Sequence, residues 1–193
     1  MFEVKHLTTN YVHGKLKTHS EIKDELIKLI KESPSHSLID ETEVVSNSDM
    51  NFKDTMRPWL PLFYEHITPY MEEFAVTFMH EFWSIHDTWF FRYKKGEYSQ
   101  WHVHPHCSWT NVYFLNLPDP KLKTTFLDVK TGQEVQVAEV REGDILSFPS
   151  TIIHCSKVNK SDEEKIVVAF NSDIYDTLVH KKYPVETYGK NND

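Results

Sequence analysis

The chain has 193 residues, of which 39% are hydrophobic and 26% are charged, as is typical of a soluble globular protein with one core. The sum of Lys and Arg is 21 and that of Asp and Glu is 29, which gives a formal net charge of −8. This balance speaks against broad binding to nucleic-acid phosphates.

The apolar runs, the N-terminal sequence and the number of cysteines indicate the cellular compartment. No apolar run approaches the roughly 20 residues of a membrane helix, and the sequence MFEVKHLTTNYVHGK lacks the apolar centre of a secretory signal. Two cysteines, Cys107 and Cys155, are too few for a disulfide framework. We therefore expect a cytoplasmic protein with neither a membrane nor a nucleic acid as partner. The sequence does not indicate its oligomeric state.

The N-terminal part, residues 1–85, is predicted to be mainly helical. The segment THSEIKDELIKLIKES has apolar residues at helical spacing, and Thr18 with Glu21 forms the pattern of a capping box. Residues 34–57 are polar and irregular, which indicates a long loop of the kind that is often functional, sometimes as a lid. A second helix is predicted for about residues 59–82, and Pro69 within it predicts a kink or a break.

From about residue 86 the pattern changes to short strands separated by turn signals. Eight short strands in succession are typical of a sandwich or jelly roll. We expect a single domain over residues 1–193, an α+β and mainly β fold with a jelly-roll core at 86–180, N-terminal helices packed on it and a tail at 181–193. The predicted strands are TWFFRYK, YSQWHVH, WTNVYFLNL, TTFLDV, EVQVAEV, DILSFPS, HCSKVN and KIVVAFNSDI.

Three of the 12 histidines lie at alternate positions, at His102, His104 and His106. On a strand this spacing places side chains on one face, and converging neutral imidazoles suit a transition metal. His154, which begins a later strand, is the predicted third ligand beside His102 and His104, because two strands of a barrel can assemble a three-ligand face with open positions. His106 follows Pro105, which tends to end strand pairing, so we expect it beside the site or facing a substrate. Alternatively, the histidines are hydrogen-bonded bystanders.

Four segments resemble motifs of the iron(II)- and 2-oxoglutarate-dependent oxygenases of the prolyl-hydroxylase type. RYKKGEYSQWH is similar to their Tyr-x-x-Gly-x-x-Tyr-x-x-x-His stretch, and three later segments follow in the same order: WTNVYFLN, TTFLD without its usual glycines, and VREGDILSFPSTIIHCSKVNKSDEEKIVVAFN. HVHPHCSWTNVYFLNLP also resembles an uncharacterised bacterial and phage subgroup with a His-x-His-Pro motif. The resemblance covers about residues 88–172 and implies a double-stranded β-helix, the cupin-like form of jelly roll.

The resemblance implies a metal centre. His102 and His154 match the two histidine ligands of iron(II), while His104 occupies the place of the usual Asp or Glu. Replacing this carboxylate of the common triad with a neutral imidazole raises the net charge of the site by one unit. Three possibilities stay open: a working three-histidine iron centre, a site from which His104 turns away, and a different metal with different chemistry.

The resemblance also implies a cosubstrate site and a reaction. Tyr93 and Thr110 match residues that hydrogen-bond 2-oxoglutarate, and Lys165 matches the cation that pairs with its distal carboxylate. A buried cation facing a dianion is physically sensible. The implied reaction uses molecular oxygen to hydroxylate a small-molecule or peptidyl substrate, while 2-oxoglutarate is oxidatively decarboxylated to succinate.

Two rival functions stay open. GEYSQWHVH and GDILSFPSTIIH are close to the two cupin motifs, with Thr151 in place of a Gly and without the expected Glu. A three-histidine cupin-type enzyme that needs no 2-oxoglutarate is therefore one alternative. The other is a non-enzymatic metal- or ligand-binding jelly roll. Lys165 distinguishes them, because it is essential only where 2-oxoglutarate binds.

Overall fold

The fold was obtained as a computed structural model, which describes residues 9–40, 43–135, 137 and 139–176. These residues form two α-helices, α1 (His19–Glu32) and α2 (Leu60–Thr77), and two short 3-10 helices at Asp54–Met56 and Pro120–Leu122. The strands within the same residues are β1 (Val12–Lys15), β2 (His36–Asp40), β3 (Glu43–Ser48), β4 (Phe82–Tyr93), β5 (Ser99–His102), β6 (Trp109–Asn116), β7 (Thr124–Asp128), β8 (Gln133–Val135), β9 (Asp144–Pro149), β10 (His154–Ser156) and β11 (Lys165–Tyr175).

The strands form two antiparallel sheets that face each other as a jelly roll. The larger sheet has the order β1-β9-β6-β11-β4-β3-β2, and the smaller has the order β5-β10-β7-β8. Non-sequential neighbours, such as β6 between β9 and β11, are the crossovers expected of this fold. The mainly β fold class with a jelly-roll core is thus confirmed. Each predicted strand overlaps an observed one, although of EVQVAEV only Glu134 and Val135 lie in β8.

The larger sheet is covered on both faces, which explains the nearly continuous apolar run of β11. Successive strand residues point to opposite sides of the sheet. Neighbouring residues of β4 therefore belong to two different hydrophobic clusters, one beneath the helices and one inside the jelly roll. Phe90 packs against Leu26 and Phe63 of the two helices. Phe91 packs inside the jelly roll together with Phe126 of the smaller sheet. The helices therefore close the outer face, while the inner face is left to line the site.

The N-terminal part departs from its prediction. Residues 34–57, predicted to be a loop, contain the β2–β3 hairpin, which extends the larger sheet beside β4. The hairpin was missed because most of its residues are polar, so its sequence shows little of the apolar–polar alternation of a half-buried strand. The helix predicted for 59–82 ends at Thr77, and β4 begins at Phe82. The predicted tail at 181–193 lies outside the described residues, and the single-domain assignment stays a prediction. Within the described residues, no helix is both long and apolar enough to cross a membrane.

Two local features of the helices differ from prediction. Helix α2 runs without a break through Pro69, while a kink there stays a prediction. Thr18 precedes α1, but its side chain caps no backbone N–H of that helix. Its hydroxyl instead lies 3.0 Å from Nδ1 of His66 on α2. A tertiary contact between the two helices has thus replaced the local cap.

Strand β1 contacts α2 closely at one glycine. A Cβ atom added to Gly14 would lie 2.6 Å from Cε2 of Tyr70, and the Tyr70 hydroxyl is held 2.8 Å from Oγ of Ser147. We expect Gly14→Ala to lower the free energy of unfolding by about 1–3 kcal/mol, because the ring cannot retreat without losing that hydrogen bond. Urea denaturation measures this change. The exposed neighbouring substitution Lys15→Ala should change it by less than about 0.5 kcal/mol; equal midpoints for both variants would contradict the prediction.

Candidate active site

Three histidines predicted as metal ligands converge at the mouth of the jelly roll. The candidate ligand atoms of His102, His104 and His154 all lie within 4.8 Å of one another. His102 and His154 are cross-strand partners on β5 and β10, and their ring centroids are 4.2 Å apart. His104 lies two residues beyond the end of β5, where its backbone N–H donates to the carbonyl of Ser150 at 3.0 Å. The structure therefore brings the three imidazoles together, although His104 lies outside the strand on which it was predicted.

The hydrogen bonds of these rings prepare one nitrogen on each for a metal. Every Nδ1 lies next to an oxygen acceptor, so the proton resides on Nδ1 and the lone pair on Nε2. The distances from Nδ1 to oxygen are 2.7 Å for His102 to the Gln100 carbonyl, 2.8 Å for His104 to Asn171 Oδ1, and 2.9 Å for His154 to the Ile152 carbonyl. Nε2 of His104 is buried and has no hydrogen-bond partner in the described part of the chain. These donors fit a transition metal.

Burial keeps two of the rings neutral. It lowers the pKa of His104 to about 4 and that of His154 to about 3, and the proximity of His102 lowers both further. The hydrogen bonds to Asn171 and to the Ile152 carbonyl act in the opposite direction but are smaller effects. Neutral imidazole is the form that coordinates a metal, so at pH 7 these rings need not lose a proton first.

Lys165, at the start of β11, is buried inside the jelly roll with 1% of its surface exposed. Its Nζ donates to the Leu122 carbonyl at 2.6 Å and to Oγ of Ser156 at 2.7 Å. Burial lowers its pKa to about 7, and no carboxylate of the described residues opposes that shift. A buried ammonium group without an anionic partner is costly. It is therefore suited to a carboxylate brought by a ligand.

A narrow cavity connects Lys165 with the histidines. It is lined by Tyr93, His102, His154 and Lys165, among others, and its volume is about 30 Å³. That is room for about two water molecules, so a five-carbon dicarboxylate requires the lining side chains to move apart. Lys165, with its flexible four-carbon stem, can do so by releasing its two contacts. The donors fit 2-oxoglutarate, whose binding would require this cavity to widen.

The other two predicted cosubstrate residues differ in position. Tyr93 lines the narrow cavity and hydrogen-bonds with the Ser99 and Ser156 side chains, and burial raises the pKa of its hydroxyl. Thr110 is fully buried on β6, opposite Asn171 of β11, and is not among the residues that line this cavity. A direct contact of either residue with 2-oxoglutarate stays a prediction.

A second, larger cavity opens on the other side of His102 and His104. Its volume is about 890 Å³, and its walls include the β2–β3 hairpin and the segment that follows it. This size lies within the range of small-molecule sites. His106 lines this cavity with a φ of +62°, a left-handed conformation that costs a non-glycine residue about 1–3 kcal/mol. Its predicted role in facing a substrate is compatible with this position and stays a prediction.

Sequence reasoning gave no role to two residues that contact His104. Asn171 Oδ1 accepts a hydrogen bond from Nδ1 of His104. The Trp89 ring stacks on the imidazole, with ring centroids 5.6 Å apart and an angle of 22° between the ring planes. The signal for Asn171 was present in the run IVVAFN, because an amide inside a buried strand must find a hydrogen-bond partner. Trp89 is both part of the jelly-roll core and part of the wall of a cavity beside His104.

Comparison with known proteins relates the jelly-roll part of the chain to one family. Residues 87–171 match the model of the family described as "putative 2OG-Fe(II) oxygenase". This segment is similar to the 2OG-Fe(II) oxygenases. The chain is an enzyme of this class, which uses iron(II), 2-oxoglutarate and oxygen, and it acts on a small-molecule or peptidyl substrate. The match favours this class over a cupin-type enzyme without 2-oxoglutarate and over a non-enzymatic jelly roll.

Solved structures share the fold of this oxygenase at low sequence identity. The α-ketoglutarate-dependent epimerase SnoN from nogalamycin biosynthesis is 16% identical with a TM-score of 0.63, covering 85% of this chain and 78% of that one. The collagen prolyl hydroxylase of Paramecium bursaria Chlorella virus 1 is 16% identical with a TM-score of 0.57, covering 84% and 94%. A 2OG-Fe(II) oxygenase family oxidoreductase from Burkholderia pseudomallei is 10% identical with a TM-score of 0.65, covering 84% of each chain. No curated protein matches the sequence.

Proposed function

We propose that this oxygenase hydroxylates its substrate at an iron(II) centre held by His102, His104 and His154. One observation carries the proposal: three imidazoles whose Nδ1 atoms are hydrogen-bonded to oxygen acceptors share a narrow cavity with a buried lysine that has no anionic partner among the described residues. The first group is suited to the metal and the second to the cosubstrate. When bound, iron(II) and 2-oxoglutarate supply the oxidation, which inserts one atom of O2 into a substrate C–H bond and places the other in succinate, with release of CO2.

In this proposal, 2-oxoglutarate lies along the inner face of β11. Its distal carboxylate pairs with Lys165, and its other end lies near the histidines that line the same cavity. Lys165 supplies a charge-assisted hydrogen bond, and the enclosing side chains exclude water. Tyr93, whose hydroxyl faces Ser99 and Ser156, and Thr110 are the further residues proposed to hydrogen-bond it.

The charge of the proposed centre favours the dianionic cosubstrate. Iron(II) with three neutral imidazoles carries two positive charges, and protonated Lys165 adds a third. The usual carboxylate ligand would remove one of them. Because the cavity is buried, where electrostatic attraction is stronger than in water, the three-histidine set strengthens attraction for 2-oxoglutarate.

The larger cavity is the proposed binding site for the hydroxylated substrate. It opens directly onto His102 and His104, and its walls combine apolar side chains such as Val45 and Phe52 with charged ones such as Lys53. Such a mixture suits an amphipathic small molecule or a peptidyl side chain. The viral collagen prolyl hydroxylase, which shares the fold, is one precedent for a peptidyl target.

The test is anaerobic addition of 2-oxoglutarate to the iron(II)-loaded protein. We expect a weak metal-to-ligand charge-transfer absorbance band, followed by succinate release when oxygen is admitted. His154→Ala should lose both, because it removes a buried ligand. His80→Ala removes a histidine that pairs with Asp176 outside the cluster and should keep both. A wild-type protein that binds iron(II) but gives neither a band nor succinate would contradict the proposal.

A further inference from the structure

The three histidines differ in what orients them. The acceptors for His102 and His154 are backbone carbonyls two residues earlier in the chain, so the local backbone fixes each ring. His104 instead relies on the side chain of Asn171, 67 residues away. Its orientation therefore depends on a single replaceable group.

The position of Asn171 is also unusual for an amide. It follows the apolar run of β11, only 6% of its surface is exposed, and it lies on the inner face in register with Thr110. Trp89, on the neighbouring β4, covers one face of the His104 ring. The stacking restricts the plane of the ring, whereas the 2.8 Å hydrogen bond to Asn171 restricts its rotation within that plane.

We propose that Asn171 is the positioning residue that makes His104 the third metal ligand. The inference rests on the proposed three-histidine centre. The amide Oδ1 accepts the Nδ1 proton, which leaves the lone pair of Nε2 directed at the cluster. If the amide presented its NH2 group instead, the proton of a neutral ring would have to lie on Nε2, where it would block coordination. The orientation of one amide thus decides whether His104 is a ligand.

The uncharged amide also suits the cosubstrate. Carboxylates often accept the second proton of a metal-bound histidine. A carboxylate at position 171 would place a negative charge against His104, one of the residues that line the cavity proposed to receive the dianionic 2-oxoglutarate. Asn171 gives the geometric effect of such a partner without that repulsion.

The test measures Co(II) affinity and the Co(II) d–d absorbance spectrum of metal-free protein titrated with Co(II). Asn171→Leu keeps the approximate size of the side chain but cannot accept the proton, and we expect it to weaken Co(II) binding about 10- to 100-fold. Its spectrum should approach that of His104→Ala. Adding Asn171→Leu to His104→Ala should cause little further loss, because both changes remove the same ligand.

Two variants separate positioning from general damage. Asn171→Asp, which still accepts the proton, should bind Co(II) at least as tightly as wild type. Asn111→Leu alters another fully buried asparagine, which donates to Phe170 and Ser172 rather than to a histidine. It should leave the affinity within about threefold of wild type, with thermal unfolding as the check on folding.

The outcomes distinguish the role of Asn171 from the three-histidine centre on which it rests. Wild-type affinity in Asn171→Leu, or losses that add to those of His104→Ala, would overturn the role of Asn171 while leaving three ligands. Wild-type Co(II) affinity in His104→Ala would overturn the three-histidine centre itself, and the role of Asn171 with it.

Discussion

Lys165→Met is expected to abolish detectable binding of 2-oxoglutarate while leaving the metal site intact. Removing one partner of a buried ion pair costs about 3–5 kcal/mol, which corresponds to a loss of affinity of roughly 100-fold or more. Methionine retains the length of the aliphatic stem and removes only Nζ, which lies 5.1 Å from the ring centroid of Tyr93 and 5.8 Å from that of Phe114. Titration of 2-oxoglutarate into the anaerobic iron(II) protein, followed by the charge-transfer band, measures the change.

The matched control is Lys157→Met. Lys157 follows β10 and is ion-paired with Glu134 on the surface, so its loss should leave 2-oxoglutarate affinity nearly unchanged. If wild type and Lys165→Met bound 2-oxoglutarate with equal affinity, the proposed binding of the cosubstrate along β11 would be contradicted. A cupin-type reaction without 2-oxoglutarate would then regain support.

The same substitution changes the pH dependence of stability without ligands. Burial lowers the pKa of Lys165 from 10.5 to about 7. Below pH 7 the lysine is protonated in both the folded and the unfolded chain, so the folded protein bears the full desolvation penalty. Between pH 7 and 10.5 only the unfolded chain keeps the proton, and this contribution to stability rises with pH. Lys165→Met should therefore be more stable than wild type at pH 6.5, with a difference that shrinks by pH 9. Urea midpoints at the two pH values measure it.

His104→Ala is expected to weaken iron(II) binding by more than 100-fold, which exceeds the roughly 10- to 100-fold loss on removing an outer hydrogen-bond partner. The reason is that one of three Nε2 donors disappears from the cluster. Competition with a chromophoric chelator measures the affinity. Oxidation coupled to succinate release should be lost at iron(II) concentrations that saturate wild type.

His104→Asp tests whether position 104 corresponds to the carboxylate ligand of the common triad. It recreates the triad of two histidines and one carboxylate, so we expect it to retain iron(II) far better than His104→Ala. Its affinity for 2-oxoglutarate should fall, because it adds a negative charge near the dianion. Iron(II) affinity that is the same in wild type and His104→Ala would mean that His102 and His154 suffice.

The β core was predictable because its strands are short and are bounded by turn residues. Gly143, for example, has a φ of +90° and stands in the turn before β9. The hairpin at residues 36–48 was not predictable in the same way, since β2 is an edge strand with an open outer side. Its strand conformation depends on pairing with β4 through β3, and such pairing is a tertiary effect that local propensity does not encode.

The candidate site was predictable to the extent that strand geometry determines it. The spacing of His102 and His104 indicated one face, and His154 was identified as the beginning of a later strand. The partner of His104 could not be read locally, because Asn171 reaches it only through the pairing of β11 with β4 and β6. The loss of the capping interaction at Thr18 has the same origin, since His66 is distant in sequence.

The two halves of the site belong to different sheets. His102 and His154 lie on the four-stranded sheet, whereas Lys165 lies on the seven-stranded sheet. In the proposed binding mode, one small dicarboxylate joins the two layers from within, so it opposes their separation. A ligand that binds only the folded chain stabilises it by mass action. We therefore expect 2-oxoglutarate and iron(II) to act as a removable link between the two sheets, so that withdrawing either makes the enzyme easier to unfold and to proteolyse.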